Sequence, residues 1–478
     1  MAPSLNISNF SDVLAPESIY PLNESEKLLL ENIGESKRKV VVFIKFRCPI
    51  LTNLENFHKP DDAALIGFFA EQTRANMPKN VDKHFDAIFW FQADYSLCGN
   101  DINSQKLIPV PELDAFLAQA IYYVPKQKWD LIHDQEWLST TVCWLRKKYD
   151  LPGITFESLE HLTNKAIEKM IAEDKDIPTA KFSLVDFSCV NDVENEVDKI
   201  MMRIEKFPMF RKPINGAGSY DCVKVRNKSE LKDWVTRMIN KKNNNDIYLV
   251  EEFVFGIEFS AAVCLLSDGA WAPLYISYNG EKTVVDMLHA GEPLPFHGDR
   301  FEDCLDMFPN MDKFVDKVIQ AYKPPHPHLL TVQGFQLEKN TDKYYLTELT
   351  YRILGARDTL LSYAYSGVSQ ETALLSCHLD PNYRAEPDPN KPKIFERHLW
   401  YPYNEGLLKS HREVDPDAPI SSELKFNWLV EVGTKLCKPT WFEHFVVHIC
   451  LRNPDKKKLL EDIEWMEKNW KPDIIKNE

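Results

Sequence analysis

The stretch YLVEEFVFGIEFSAAVCL, Tyr248 to Leu265, reads as two strands separated by a kink. An apolar run ends in the adjacent carboxylates Glu251 and Glu252, and Phe255-Gly256 interrupts it as a hairpin or bulge does. Strand alternation then puts Glu258 on one face with Ser260, Ala262 and Cys264, and Ile257, Phe259 and Val263 on the other. A charge at the head of an apolar strand requires a polar partner. A ribose diol is one candidate, and a Lys or Arg elsewhere in the chain is the other.

Two neighbouring stretches carry the same kind of signal. Upstream, PMFRKPINGAGSYDCVKV (Pro208 to Val225) has a strand carrying Lys212 into a turn with Gly216, Ala217, Gly218 and Ser219. Small residues let backbone N–H groups approach phosphate oxygens, and a nearby lysine adds a point charge. The lysine precedes the glycines, so this is not a Walker loop; an ordinary glycine hairpin is the other reading. Downstream, GFQLEKNTDKYYLTELTYRILGAR (Gly334 to Arg357) reads as a hairpin turning near Asp342. Gln336 and Glu338 share one strand face, as do Glu348, Thr350 and Arg352 on the next. Glu338 would then stand almost opposite Glu348, a destabilising arrangement of like charges unless something positive intervenes. Mg²⁺ fits an all-oxygen set; a solvated face with Lys339 or Lys343 as counter-ion is the alternative.

The order and spacing of the three stretches resemble the ATP-grasp superfamily, over roughly Gly153 to Gly367. The resemblance implies a Rossmann-like pre-ATP-grasp α/β domain, a two-lobed ATP-grasp domain and a small α+β C-terminal extension. It assigns Lys165 and Lys212 to the ATP phosphates and Gly216, Gly218 and Ser219 to the loop that closes over them. Glu251, Glu252 and Val254 fall on the adenine hinge and Glu258 on the ribose-hydroxyl acceptor. Glu348 matches a ligand of Mg²⁺ (or Mn²⁺), Glu338 the other, with Gln336 as the competing alignment and Thr350 as a weaker ligand nearby. Arg352 matches the catalytic cation that holds an acyl phosphate or a substrate carboxylate, alongside Lys212. Thr350 stands where relatives usually have Asn, and Asp221 where they often have Gly. The resemblance further implies an ATP-dependent carboxylate–amine ligase of the amino-acid ligase branch, carnosine-synthase-like, with small-molecule amino-acid or carboxylate substrates and a possible homodimer. An ATP-binding regulatory or scaffold protein without ligase activity is the second reading.

The rest of the chain divides around this block. Residues 1–37 read as an N-terminal arm with a short helix. Residues 38–152 read as the pre-ATP-grasp domain: VVVFIKF (Val40 to Phe46) and DAIFWFQ (Asp86 to Gln92) are buried strands, and Glu136 to Tyr149 an amphipathic helix. No GxGxxG turn follows the first strand, so no dinucleotide site is expected there. The first ATP-grasp lobe is placed at 153–246, the second at 247–379 and the extension at 380–478, whose Pro- and Asp-rich start suggests a boundary.

Composition sets outer limits. Of 478 residues, 44% are hydrophobic and 27% charged, which is globular in character. A formal net charge of −15 argues against a general nucleic-acid binder, which needs clustered Lys and Arg. The ten cysteines are scattered without CxxC, no apolar window is long enough for a membrane span, and no basic-then-apolar leader opens the sequence. A cytoplasmic protein with reduced thiols is the expectation.

Overall fold

The computed structural model describes residues 19–94, 107–216, 218–241, 246–280, 282–355, 357–439 and 444–476. Most of Asn243–Asp246, which the sequence reads as a turn, and the start of Trp441–Leu451, which it reads as a strand, lie outside them.

The N-terminal unit is a parallel sheet. Strands β1 (Lys39–Lys45), β2 (Ala63–Ala70), β3 (Ala87–Phe91) and β4 (Trp129–His133) take the order β3-β2-β1-β4. In β1 every residue after Lys39 is buried, as expected of an uninterrupted β-branched run covered on both faces. The strand β2, AALIGFFA, has no such signature, yet every one of its residues is buried. Its alanines and glycine are weak strand formers, and tertiary burial overrides that preference.

The second unit is the antiparallel sheet β5-β8-β6-β7, made of β5 (Phe182–Asp186), β6 (Met209–Pro213), β7 (Val223–Val225) and β8 (Ile247–Glu252). The helices Val193–Arg203 and Lys228–Ile239 close one face around a core that includes Val197, Leu231, Trp234 and Val250. Because β8 pairs with β5 and β6, the first lobe extends to Glu252 and beyond the boundary expected at 246.

The largest sheet has eight strands in the order β13-β12-β9-β10-β11-β14-β18-β16. These are β9 (Ile257–Leu265), β10 (Trp271–Tyr278), β11 (Leu294–Asp299), β12 (His328–Gln336), β13 (Tyr344–Thr350), β14 (Phe395–Pro402), β16 (Glu423–Trp428) and β18 (Phe445–Asn453). The boundary expected at 380 therefore does not separate a sheet: β14, β18 and β16 continue the one that begins with β13. A small sheet, β17-β15-β19, joins β15 (Gly406–Ser410), β17 (Lys435–Leu436) and β19 (Asp473–Ile475).

Two local features fix how the units meet. The helix Gln370–Leu379 is buried along its whole length, because it lies between the parallel sheet and the eight-stranded one. Its Ala373, Leu374 and Leu375 share a core with Val41 and Phe43 on one side and Ala262 and Leu329 on the other. At the kink, Gly256 has φ +156, and a Cβ there would lie 2.3 Å from the Gln336 carbonyl oxygen. Only glycine lets the β8–β9 connection pass so close to the end of β12. No helix among the described residues is long and apolar enough to cross a membrane.

Candidate active site

A cavity of about 240 Å³ opens between the first lobe and the eight-stranded sheet. Its floor is one face of that sheet. Glu348 on β13 pairs with Gln333 on β12, Gln333 with Ser260 on β9, and Ser260 with Ser277 on β10; all four line the cavity. Period-two alternation places this polar row on the face opposite the apolar Phe259–Ala261–Val263 face.

The first lobe supplies the cations. Asn164 caps the helix Lys165–Asp174, so Lys165 stands at its first position. Lys165 Nζ donates to the Gly216 carbonyl oxygen at 2.6 Å and lies 3.4 Å from Glu348 Oε2. Burial pulls its pKa down, but Glu348, then Glu136 and Glu168, more than reverse this and hold the ammonium above its ordinary range. Gly216, Gly218 and Ser219 also line the cavity, and Gly218 (φ +66) and Ser219 (φ +58) both take the left-handed conformation. Two successive positive-φ residues turn the backbone sharply over the opening.

Lys212 lies one layer deeper. Its Nζ is 2.8 Å from Glu251 Oε1, while Lys169 Nζ is 3.1 Å from Glu251 Oε2. Burial disfavours all three charges, yet the two lysines hold the Glu251 carboxyl below its usual range. Lys212 is raised because Glu251 and then Glu348 outweigh its burial; Lys169 is lowered by its burial, with Lys212 adding to the effect.

The remaining expected residues divide. Glu258 lines the cavity, accepts from the Val284 N–H at 3.1 Å and is raised by burial. Thr350 Oγ1 accepts from Gln333 Nε2 at 2.6 Å. Arg352 lies 3.1 Å from Glu136 Oε2, a residue of the N-terminal domain. Asp221 points away from the opening: it sits 3.0 Å from Arg211 and accepts from the Tyr248 hydroxyl. Glu252 and Val254 are half-buried at the end of β8 and, like Glu251 and Lys212, do not line the cavity.

Glu338 is corrected. It does not oppose Glu348; it lies past the end of β12 in the exposed turn, 2.6 Å from Lys343. The counter-ion alternative describes it. The register slips at Gln333/Gly334, and Gln333 takes the place opposite Glu348. Gln336 is no substitute, since it is fully buried and donates to the carbonyls of Met307 and Thr341 at 2.6 and 2.7 Å.

Several lining residues went unread in the sequence. Glu168 accepts from the Leu349 N–H at 3.0 Å, and burial pushes it up to about 8. It and Lys169 stand three and four residues after Lys165, a helical spacing that would have flagged both. Asp358 is buried, accepts from Tyr275 and Ser277 at 3.2 and 3.1 Å, and is pushed up to about 6 by burial. Glu136 carried no sequence signal. The oxygen donors of Glu348, Gln333 and Thr350 fit a hard cation such as Mg²⁺ or Mn²⁺, with Glu348 as the anionic member.

This architecture is the ATP-grasp fold. Solved structures of the same shape include an L-amino acid ligase from Bacillus licheniformis, at 15% identity and a TM-score of 0.62, covering 92% of this chain and 100% of that one. The N5-carboxyaminoimidazole synthetase from Staphylococcus aureus, complexed with ADP, is 14% identical with a TM-score of 0.56, over 91% and 98% of the two chains. The biotin carboxylase domain of Hydrogenobacter thermophilus 2-oxoglutarate carboxylase, in complex with MgADP and bicarbonate, is 12% identical with a TM-score of 0.53, over 92% of each. No protein-family model and no curated protein matches the sequence.

Proposed function

We propose that the protein is an ATP-dependent carboxylate–amine ligase that forms an amide through an acyl phosphate, with an amino acid as one substrate. The observation that carries this reading is the convergence of Lys165, Glu348, Glu258, Gly216, Gly218 and Ser219 on one cavity, with Lys212 directly behind them. The amino-acid ligase from Bacillus licheniformis, which shares the fold, supports the substrate class.

In this reading the substrate carboxylate oxygen attacks the γ-phosphorus of ATP and the bond to ADP breaks. An amine nitrogen then attacks the acyl carbon, phosphate departs, and the nitrogen loses its proton. Glu348, Gln333 and Thr350 would hold Mg²⁺, which when bound would supply charge neutralisation at the phosphates. Lys165 and Lys212 hold positive charge toward the phosphates, fixed in place by Glu348 and Glu251 before substrate arrives, so little reorganisation is needed. Arg352 orients the carboxylate, and Glu136 beside it offers an anion to an ammonium group. The glycine turn covers the opening and excludes the water that would hydrolyse an acyl phosphate. Glu258 accepts from the ribose hydroxyls, and the backbone from Glu251 to Val254 meets the adenine.

The test is an ADP-release screen of the purified protein against amino acids singly and in pairs, with mass spectrometry of the products. ADP that appears only with an acid and an amine together, accompanied by an amide product, is the expected result. ATP binding without turnover in any mixture overturns the ligase reading in favour of a regulatory nucleotide-binding protein. ADP release with no amine would indicate a carboxylate kinase.

A further inference from the structure

Away from the cavity, β14 and β18 gather a second set of polar side chains in the middle of the eight-stranded sheet. His398 pairs directly with Cys450 across the ladder. Glu396 lies two residues before His398 and His448 two before Cys450, so all four occupy one face. Glu396, His398 and His448 are fully buried and Cys450 is 3% exposed. A carboxylate oxygen of Glu396, a ring nitrogen of His398 and Cys450 Sγ all lie within 4.8 Å of one another. The ligase chemistry uses none of them.

The hydrogen bonding around the two imidazoles is incomplete in a specific way. His398 Nε2 lies 2.8 Å from Glu396 Oε1. That nitrogen and that oxygen face each other, the disposition of two ligand atoms of one ion. Among the described residues, Nδ1 of His398 has no hydrogen-bond partner, and neither does Nε2 of His448, whose ring stands 4.5 Å away, edge to face. Buried ring nitrogens are normally satisfied. Glu396 is further held by Arg452, whose Nε lies 2.5 Å from Oε2.

We propose that Glu396, His398 and Cys450 form a buried binding site for a divalent transition metal, with Zn²⁺ the best match, and that His448 stands next to the open fourth position. Mixed nitrogen, sulfur and oxygen donors favour Zn²⁺ over Mg²⁺ or Ca²⁺, which prefer oxygen alone. On binding, a zinc–sulfur bond forms and the Cys450 thiol proton passes to solvent. The ion would tie β14 to β18, and with them the late strands to the sheet that floors the cavity. The helix Asp358–Ser366, which begins with a cavity residue, packs on β14 as well as on β10 and β11. The site's role is therefore structural support of the floor.

The experiment is metal analysis of the full chain purified from zinc-supplemented cells, followed by exchange of the metal for Co²⁺. One tightly held zinc per chain is expected, with a sulfur-to-cobalt charge-transfer absorption and tetrahedral visible bands after exchange. Folded Cys450→Ser should lose that absorption and most of the metal, and His398→Gln most of the metal. Because these positions are buried, a variant that fails to fold leaves the wild-type cobalt spectrum to decide. Wild-type protein that retains no stoichiometric zinc overturns the proposal, as does bound cobalt lacking the sulfur absorption. Zinc content unchanged in folded Cys450→Ser overturns it too.

Discussion

Arg352, just beyond the end of β13, reaches Glu136 of the N-terminal domain, with Nη2 3.1 Å and Nε 3.3 Å from the same carboxylate oxygen. The two residues are 216 positions apart in sequence, and both line the cavity. They bring a cation and an anion side by side where the organic substrate enters the proposed reaction, a pairing suited to a zwitterion. Arg352→Ala and Glu136→Ala should each weaken that substrate by about 10- to 100-fold, the scale of a hydrogen bond to a charged group at about 1.5–3 kcal/mol. Nucleotide affinity should stay unchanged. Calorimetric titration with ATP beside the substrate dependence of ADP release checks the split, and equal loss of both would refute it.

The buried Lys212–Glu251–Lys169 group makes a different demand. Removing its one anion leaves charge uncompensated in a dry site, which costs about 3–5 kcal/mol. Glu251→Gln strands two ammonium groups and should lower the melting temperature sharply. Lys212→Met leaves Glu251 paired with Lys169 and should melt closer to the wild type while losing ATP-induced stabilisation. Thermal melts with and without Mg·ATP distinguish the two; a Lys212→Met protein fully stabilised by ATP would remove Lys212 from the site.

Glu168 gives the pH dependence. Burial raises it from 4.5 to about 8, so the folded protein binds this proton more tightly than the unfolded chain does. Its contribution is fully present below about pH 4.5 and is lost as the pH rises through 8. The associated slope is at most about 1.4 kcal/mol per pH unit. Glu168→Gln keeps an oxygen for the Leu349 N–H but cannot ionise. Denaturant melts of the two proteins should therefore diverge in the variant's favour from pH 5 to pH 8.5, and parallel curves would contradict the shift.

How much of this the sequence disclosed follows from the range of each interaction. Lys212, the glycine turn and Glu258 announce themselves because one strand's alternation and one turn's small residues are local properties. Glu136 was invisible because only the packing of two domains brings it to Arg352. The continuity of β14, β18 and β16 with the ATP-grasp sheet was equally hidden, since strand order is a property of pairing and not of composition. Glu338 was misplaced because the hairpin turns about Asn340 and not near Asp342. Gln336 already pairs with Tyr344, so Glu338 falls in the turn, and a further one-residue shift at Gln333/Gly334 sets Gln333 opposite Glu348.

The observed register yields a sharp comparison among three side chains of one hairpin. Glu348 is the anionic oxygen donor on the cavity floor, and burial, which alone would raise it, is outweighed by Lys165 and then Lys212, so it stays ionised. Glu348→Ala should reduce Mg²⁺-dependent turnover by about 100-fold or more, the scale of losing a charge-stabilising group at a phosphoryl-transfer site. Gln333 pairs with Glu348 and holds the Thr350 hydroxyl, so Gln333→Ala should cost about 10- to 100-fold, chiefly as a raised Mg²⁺ requirement. Glu338 is exposed and paired only with Lys343, so Glu338→Ala should leave turnover and metal dependence unchanged. Titrating activity against Mg²⁺ in the three variants ranks them directly. A Glu338→Ala defect exceeding that of Gln333→Ala would mean that the hairpin binds metal in the register first read from its sequence.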